Sequence, residues 1–445
     1  HYEAAIDLAP YEELPELYGA LGAAHTAGDR SADAYRRAIE LGREQGKSAD
    51  FVLRYLAEML MVMMRWYGGV ARQPDESAMV DLRRQGRALL ERASDERIRA
   101  AFFIADGFFP FWVRSSGTRE PTETDIAEMR VSVEAGLEIA ERLDDARLIS
   151  AALDAITGVP MKARDVYDTT MRRVTLEDRL PLEERLDTYY MLGWWSILMG
   201  DLGEALSIAE RGLSFAQPGQ GQRWAIGLAA WRIYALVLAG RWDEVAAAVE
   251  QGLRIWNEDR FPVAFAVPSF LAALDVARGR GDDRLVERCR EVLDDSLREF
   301  DPSHPTAALA AIAALDLDAT AANVVGRPDR YRQRPQAVER AIAVCADRSH
   351  PMPEAALRDV AVTAAGDMPI VEAQARRGLG IGLHDPAELR HALELFERHG
   401  VIPYVARTRV ELGRLTGEEA MVARGIAGLE ALGDLDQLSR FAAGG

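Results

Sequence analysis

A helix–turn–helix pattern recurs at a near-constant spacing, and this repetition constrains the chain more than any other feature. The segment Gly193, Gly200-Asp201-Leu202, Ala205, Gly212-Leu213 matches Ile233, Gly240-Arg241-Trp242, Val245, Gly252-Leu253 at an offset of 40 residues in every position. A third copy follows at a further 41 residues: Leu274, Gly281-Asp282 and Val286, with Leu293 closing it. A weaker copy opens the chain, with Leu21-Gly22, Gly28-Asp29, Ala34 and Ala38. Near the end, Leu379-Gly380 and Leu412-Gly413 recur at a spacing of 33. Their second helices close with Leu393 and Phe396, and with Ile426 and Leu429. Each copy carries apolar residues at helical spacing, as in Leu202, Ala205, Leu206, Ala209 and Leu213. Strand signals, meaning Val/Ile/Thr alternation bounded by Asn-Gly or Asp-Gly turns, are almost absent. Helices of about 12 to 17 residues joined by short turns must pack as antiparallel neighbours.

The sequence therefore predicts an all-α fold, with stacked antiparallel hairpins winding into a right-handed superhelical solenoid over residues 1–445. Polar or proline-rich stretches at 115–124, 326–336 and 349–353 are too short to be interdomain linkers. They are expected to be loops at which the solenoid changes pitch.

Composition narrows the function. The chain has 53 basic and 71 acidic residues, a formal net charge of −18, with 49% hydrophobic and 28% charged residues. That balance supports a large core and argues against wholesale disorder. The acidity argues against a nucleic-acid partner, because phosphate binding relies on clustered Lys and Arg. Two cysteines, Cys289 and Cys345, cannot build a disulfide framework, so a reducing, cytoplasmic setting is expected. The most apolar stretches are interrupted, by Arg232 in one and by Asp316 and Asp318 in another, so no membrane span is expected. The chain begins at His1, which suggests a processed end or a piece of something longer.

Motifs for chemistry are weak. Gly42-x-x-x-Gly46-Lys47-Ser48 has three residues between its glycines where a phosphate loop needs four, and a helix precedes it where a strand should. It is expected to be a helix end and turn that binds neither ATP nor GTP. Gly378-x-Gly380-x-Gly382 lies inside a helical repeat and is expected to serve helix packing. His384, His391 and His399 lack the i, i+4 spacing of helical zinc sites, and the pairs Asp144-Asp145 and Asp282-Asp283 sit where helix caps belong. No metal or cofactor is expected. Six of the eight tryptophans fall between Trp194 and Trp256.

These marks resemble the tetratricopeptide repeat family: a Leu-Gly pair in the first helix, a Gly-Asp turn, and small residues such as Ala205 and Gly212 on the second helix. The period of 40 exceeds that family's usual 34, which implies longer helices. In such arrays the exposed side of each first helix lines a concave groove. Carried onto this sequence, that position gives Trp194, Tyr234 and Asp275, with Tyr190 and Arg278 a turn away. Aromatic and Arg anchors dominate protein recognition. The competing expectation for Trp194 and Tyr234 is burial between repeats. From Val371 onward the chain also resembles the C-terminal repeat region of large bacterial signalling proteins, either cyclase–ATPase or LuxR-type. The residues are Glu372-Ala373-Gln374-Ala375, Asp385-Pro386, Ala387 to Glu397, Ala406-Arg407-Thr408, Leu412-Gly413 and Leu432-Gly433-Asp434. Neither cyclase nor ATPase motifs are present, so only a sensing arm is implied. The expected function is non-catalytic recognition of a protein segment, peptide or small effector in a concave groove. The alternatives are an all-α enzyme with an interhelical acidic pocket, and a homo-oligomeric scaffold.

Overall fold

A computed structural model of the chain describes residues 1–443, apart from 26–27, 73, 117, 160, 218–219, 259, 261–262, 303 and 332–333. The chain is all-α, built of antiparallel helix hairpins. Among the described residues no helix is long and apolar enough to cross a membrane. The helices fall into two compact units: His1–Met161 with Thr169–Glu184, and Lys162–Asp168 with Arg185–Gly445.

The first unit runs through the hairpins Leu14–Ala24 with Asp29–Glu44, Ala49–Leu60 with Glu76–Leu90, and Glu96–Gly107 with Glu123–Arg142, and then Ala146–Ile156. Local chemistry sets the helix starts. Ser48, Asp75, Asp95, Thr122 and Asp145 each accept a backbone N–H of the helix they precede, which satisfies donors that have no intrahelical partner. Asp282 does the same in the second unit, so the Asp-Asp pairs serve helix starts there and at Asp145.

The second unit contains the strongest repeats as hairpins: Leu182–Leu198, from Arg185 onward, with Leu202–Phe215, Gln222–Leu238 with Val245–Glu258, and Val267–Arg280 with Asp283–Glu299. Their turns pass through Gly200, Gly240 and Gly281 at φ +77°, +71° and +67°, a left-handed conformation that glycine adopts without strain. Ala205 and Val245 are fully buried at the hairpin crossings. A Cβ on Gly212 would run into Leu228 of the next first helix, and one on Gly252 would touch Phe270. Close approach between helices therefore needs the small residues that the repeat supplies.

The third hairpin corrects the register. Val286 is only half-buried, while Leu285, Cys289 and Leu293 face the core. These positions follow Val245, Val249 and Leu253 by 40 residues, so the second helix keeps the 40-residue offset while the turn is displaced by 41. The difference is absorbed at the helix start, where the second hairpin enters through the tight turn Trp242–Glu244 and the third begins directly at Asp283. Arg290 consequently points to solvent.

The same unit ends with Pro335–Ala346, Glu354–Ala364, and the pairs Pro369–Leu383 with Pro386–Arg398 and Ile402–Thr416 with Glu419–Leu432, then Leu435–Ala443. The stretch 349–353 connects two helices; 115–124 runs from the end of Phe109–Ser115 into the start of Glu123–Arg142, and 326–336 contains the tight turn Pro328–Tyr331 and the start of Pro335–Ala346, with Gly117, Arg332 and Gln333 outside the described residues. Gly378 packs on Met352 and Leu357, and Gly380 on Leu389, so these two glycines serve helix packing, whereas Gly382 is exposed and meets no neighbour.

Candidate functional site

The residues named from the repeat pattern fall in the second unit, and the structure places most of them in its interior. Trp194 is 2% exposed and Tyr234 is 1% exposed, so neither lines an open groove. Trp194 stacks on Trp195 at 5.2 Å and packs near Trp231 and Phe265, with Tyr190 beside Trp231 at 5.3 Å. Tyr190 and Trp195 keep partial exposure at the edge of this aromatic cluster. The indole N–H groups of Trp194, Trp195 and Trp231 have no acceptor among the described residues.

Tyr234, Asp275 and Arg278 belong to a charged network that the sequence did not reveal. The Tyr234 hydroxyl donates to Glu339, which also accepts from Gln374 at 3.0 Å and pairs with Arg340 at 3.1 Å. Arg340 donates to the Tyr404 hydroxyl and approaches Asp275 at 3.5 Å. Arg377 bridges Asp347 at 2.7 Å and Glu411 at 2.5 Å, and Arg407 joins Asp347 at 2.6 Å to Asp434 at 2.7 Å. Three guanidinium groups, those of Arg340, Arg377 and Arg407, surround the Tyr404 ring at 5.5 to 5.7 Å. Arg278 lies 3.9 Å from Asp275 and donates to the Ala313 carbonyl at 2.6 Å. The side of the first helices that would face a groove is covered by the chain's own C-terminal helices, which bring Arg340, Tyr404 and Arg407. The void left beside Asp275, Arg340 and Tyr404 is about 10 Å³, about one water's worth of space.

Burial raises the Asp275 carboxyl above its ordinary range, although Arg340 opposes the shift. The void there is too small for a substrate, which leaves this raised acid without room to act on one.

The first unit differs. Its first helices border a cavity of about 630 Å³. Leu14–Ala24 contributes Gly19, Ala20 and Ala23, whose small side chains leave space; a Cβ on Gly19 would collide with the Tyr55 ring. Ala49–Leu60 contributes Arg54, Tyr55 and Glu58, Glu96–Gly107 contributes Arg97, Ile98 and Ala101, and Ala146–Ile156 contributes Arg147 and Leu148. Glu183 and Glu184, at the start of Leu182–Leu198, complete the wall, and Tyr35 and Trp66 add aromatic surface.

A buried ionic cluster fixes one side of this cavity. The helix Ala49–Leu60 runs on into a wider turn over Met61–Arg65, in which the Trp66 N–H reaches the Met61 carbonyl five residues back at 3.2 Å. Such widened turns shift the helical face by one residue and recur at functional sites. Here the turn delivers Arg65 to Asp154 at 2.7 Å and to Glu184 at 2.5 Å, and Arg173 pairs with both carboxylates at 3.3 Å. Ser150 donates to Glu184 at 3.0 Å and accepts from Arg173 at 2.9 Å. Burial alone would raise the Glu184 carboxyl, but Arg65 and Arg173 outweigh it and hold its pKa at about 2. Two arginines and two carboxylates thus form a buried brace of paired groups.

Sequence reasoning missed this cavity because it followed the strongest repeats. The available signal was Arg54-Tyr55 with Glu58, and Arg97-Ile98 with Ala101: polar and small residues on the inner stripe of first helices, where core residues would otherwise stand.

The phosphate-loop-like segment is a turn. Gly46 takes φ +67°, Ser48 caps the helix Ala49–Leu60, and Lys47 pairs with Glu16 at 2.8 Å. His384, His391 and His399 do not converge: His384 ends a helix, His391 faces Glu372 at 3.6 Å and His399 lies 3.3 Å from the Gly200 carbonyl.

No protein-family model matches the chain, and no curated protein matches it. Among solved structures, it is similar to a Rap protein crystallised in complex with competence and sporulation factor, at 11% identity over 90% of this chain and 99% of that one, with a TM-score of 0.45. It is also similar to a circular tandem repeat protein with a novel repeat topology, at 15% identity over 99% of this chain and 94% of that one, with a TM-score of 0.15.

Proposed function

We propose that the chain is a non-catalytic recognition array whose ligand, a peptide, protein segment or small effector, enters the cavity between the first helices of its first unit. The observation that carries this reading is the cavity itself, about 630 Å³ in volume and bordered by successive first helices. Ligand pockets occupy about 300–1,000 Å³ and combine apolar walls with a few placed polar groups. Tyr35, Tyr55, Trp66, Ile98 and Leu148 supply the former, and Arg54, Glu58, Arg147 and Glu183 the latter. The ionised state of Glu184 suits a binding wall better than proton transfer. Within this proposal the whole chain is one continuous repeat array acting as the sensing arm of a bacterial signalling protein in the cytoplasm. Tyr190, at the partly exposed edge of the aromatic cluster, remains a candidate contact for a partner segment, with the buried Trp194 packed behind it. Tyr234, Asp275 and Arg278 enter as members of the second unit's interior network.

Thermal-shift screening against a library of peptides and small metabolites tests the reading. A ligand present at 100 times its Kd adds about 2.7 kcal/mol of stability. Stabilising compounds should lose their effect on Ala101→Trp, which fills the cavity, and on Ala20→Phe, which fills it from another helix. Hits that stabilise wild type and both variants equally would remove the cavity from the function.

A further inference from the structure

The cavity's charges can be matched one against another, and the remainder specifies a ligand. Glu184 is committed to Arg65 and Arg173. Glu58 faces Arg147, with both carboxylate oxygens 3.3 Å from the same guanidinium nitrogen. Arg97 reaches out of the wall to Asp145 at 2.8 Å, and Glu16 is held by Lys47 at 2.8 Å. Asp95 accepts the backbone N–H groups of Arg97 and Ile98 as the cap of its helix. Apart from Asp95, whose carboxylate is taken up by those two backbone N–H groups, two lining groups stay without an opposite charge among the described residues: the Arg54 guanidinium, which meets the Tyr55 hydroxyl, and the half-buried Glu183 carboxylate.

We infer that the cavity takes a short peptide with both ends free, its ammonium group against Glu183 and its carboxylate against Arg54. This rests on the groove reading above and adds the chemistry of the ligand. A single positive or negative ligand would satisfy one of these groups and leave the other opposed to nothing. A zwitterion satisfies both, and charge-assisted hydrogen bonds of this kind are the stronger class. The volume favours a peptide over a single amino acid, and the lining also offers apolar and aromatic surface in Tyr55, Ile98, Ala101 and Leu148. Arg147 and Glu58 form a polar but neutral pair at which a peptide bond can be hydrogen-bonded without a net charge cost.

The experiment is calorimetric titration with three probes: alanyl-phenylalanyl-alanine, its N-acetylated form and its C-terminal amide. The free tripeptide should bind, and each capped form should bind at least tenfold more weakly. Glu183→Gln should weaken the free tripeptide and abolish the penalty for acetylation while keeping the penalty for amidation. Arg54→Gln should do the reverse, and Glu183→Asp should restore part of the affinity. Arg54 is exposed and Glu183 half-buried, so both variants should fold, which far-ultraviolet circular dichroism checks. Equal binding of free and capped tripeptides, or no binding of the free form at millimolar concentration, overturns the inference. The groove reading survives that result if library hits still disappear in Ala101→Trp, and falls with it if they do not.

Discussion

The two units use the same hairpins and treat the inner stripe of their first helices in opposite ways. In the first unit that stripe carries Gly19, Ala20, Ala23 and Ala101 among charged and aromatic residues, and a cavity of about 630 Å³ remains. In the second it carries Tyr234 and Asp275, and later helices fill the space down to about 10 Å³ with Arg340, Tyr404 and Arg407. A repeat surface is therefore a groove or a core depending on what folds back over it. Ionic networks serve both outcomes. Around Glu184 the network braces one wall of a cavity, and around Tyr404 it takes the place of one.

The largest expected effect comes from cutting the second network. Arg340→Ala leaves Glu339 buried beside an unpaired Tyr404, and removing one partner of a buried pair costs about 3–5 kcal/mol. Trp194→Ala should cost a similar amount, roughly 3–5 kcal/mol, because a fully buried aromatic is lost from the core. Urea unfolding would show both. Cavity ligands of the first unit should keep their affinity in the folded state of either variant. If Trp194→Ala lowered partner binding with no loss of stability, the second unit would have a working groove after all.

The intermediate effect is a pH dependence that belongs to the first unit. The folded pKa of Glu184, about 2, lies below its ordinary value of 4.5. A lowered folded pKa means that the unfolded chain binds the proton more readily. The stabilisation is therefore complete above about pH 5 and is lost as pH falls toward 2. Glu184→Gln should be less stable at neutral pH and should flatten this part of the stability curve. An unchanged acid limb in the variant would show that the brace around Arg65 contributes nothing to stability.

The smallest effect is expected at Lys47. Its pair with Glu16 is partly exposed, and such pairs are worth about 0–1 kcal/mol. Lys47→Ala should change the melting temperature little, and calorimetry should find no Mg-ATP binding to either form. Micromolar ATP affinity abolished by the substitution would overturn the reading of Gly42 to Ser48 as a turn.

The repeat pattern by itself determined the all-α class, the hairpin unit and the glycine turns at Gly200, Gly240 and Gly281, because helical periodicity and left-handed turns are local properties written within about 40 residues. It also determined that Ala205, Gly212 and Gly252 lie at close helix crossings, since only small residues fit there. What the inner stripe faces was decided by tertiary structure alone. Tyr234 meets Glu339 across 105 residues of sequence, and Arg65 meets Glu184 across 119. Such partners are chosen by how later helices pack, and no local spacing encodes them. The same holds for the turn Met61–Arg65, where one extra residue in a helical turn aims Arg65 at its carboxylates. Tyr234 and Asp275 had the residue types of a binding surface, and the chain folded its own helices onto them; Glu183 and Arg54 stand outside the strongest repeats, and the fold set them on the wall of a cavity.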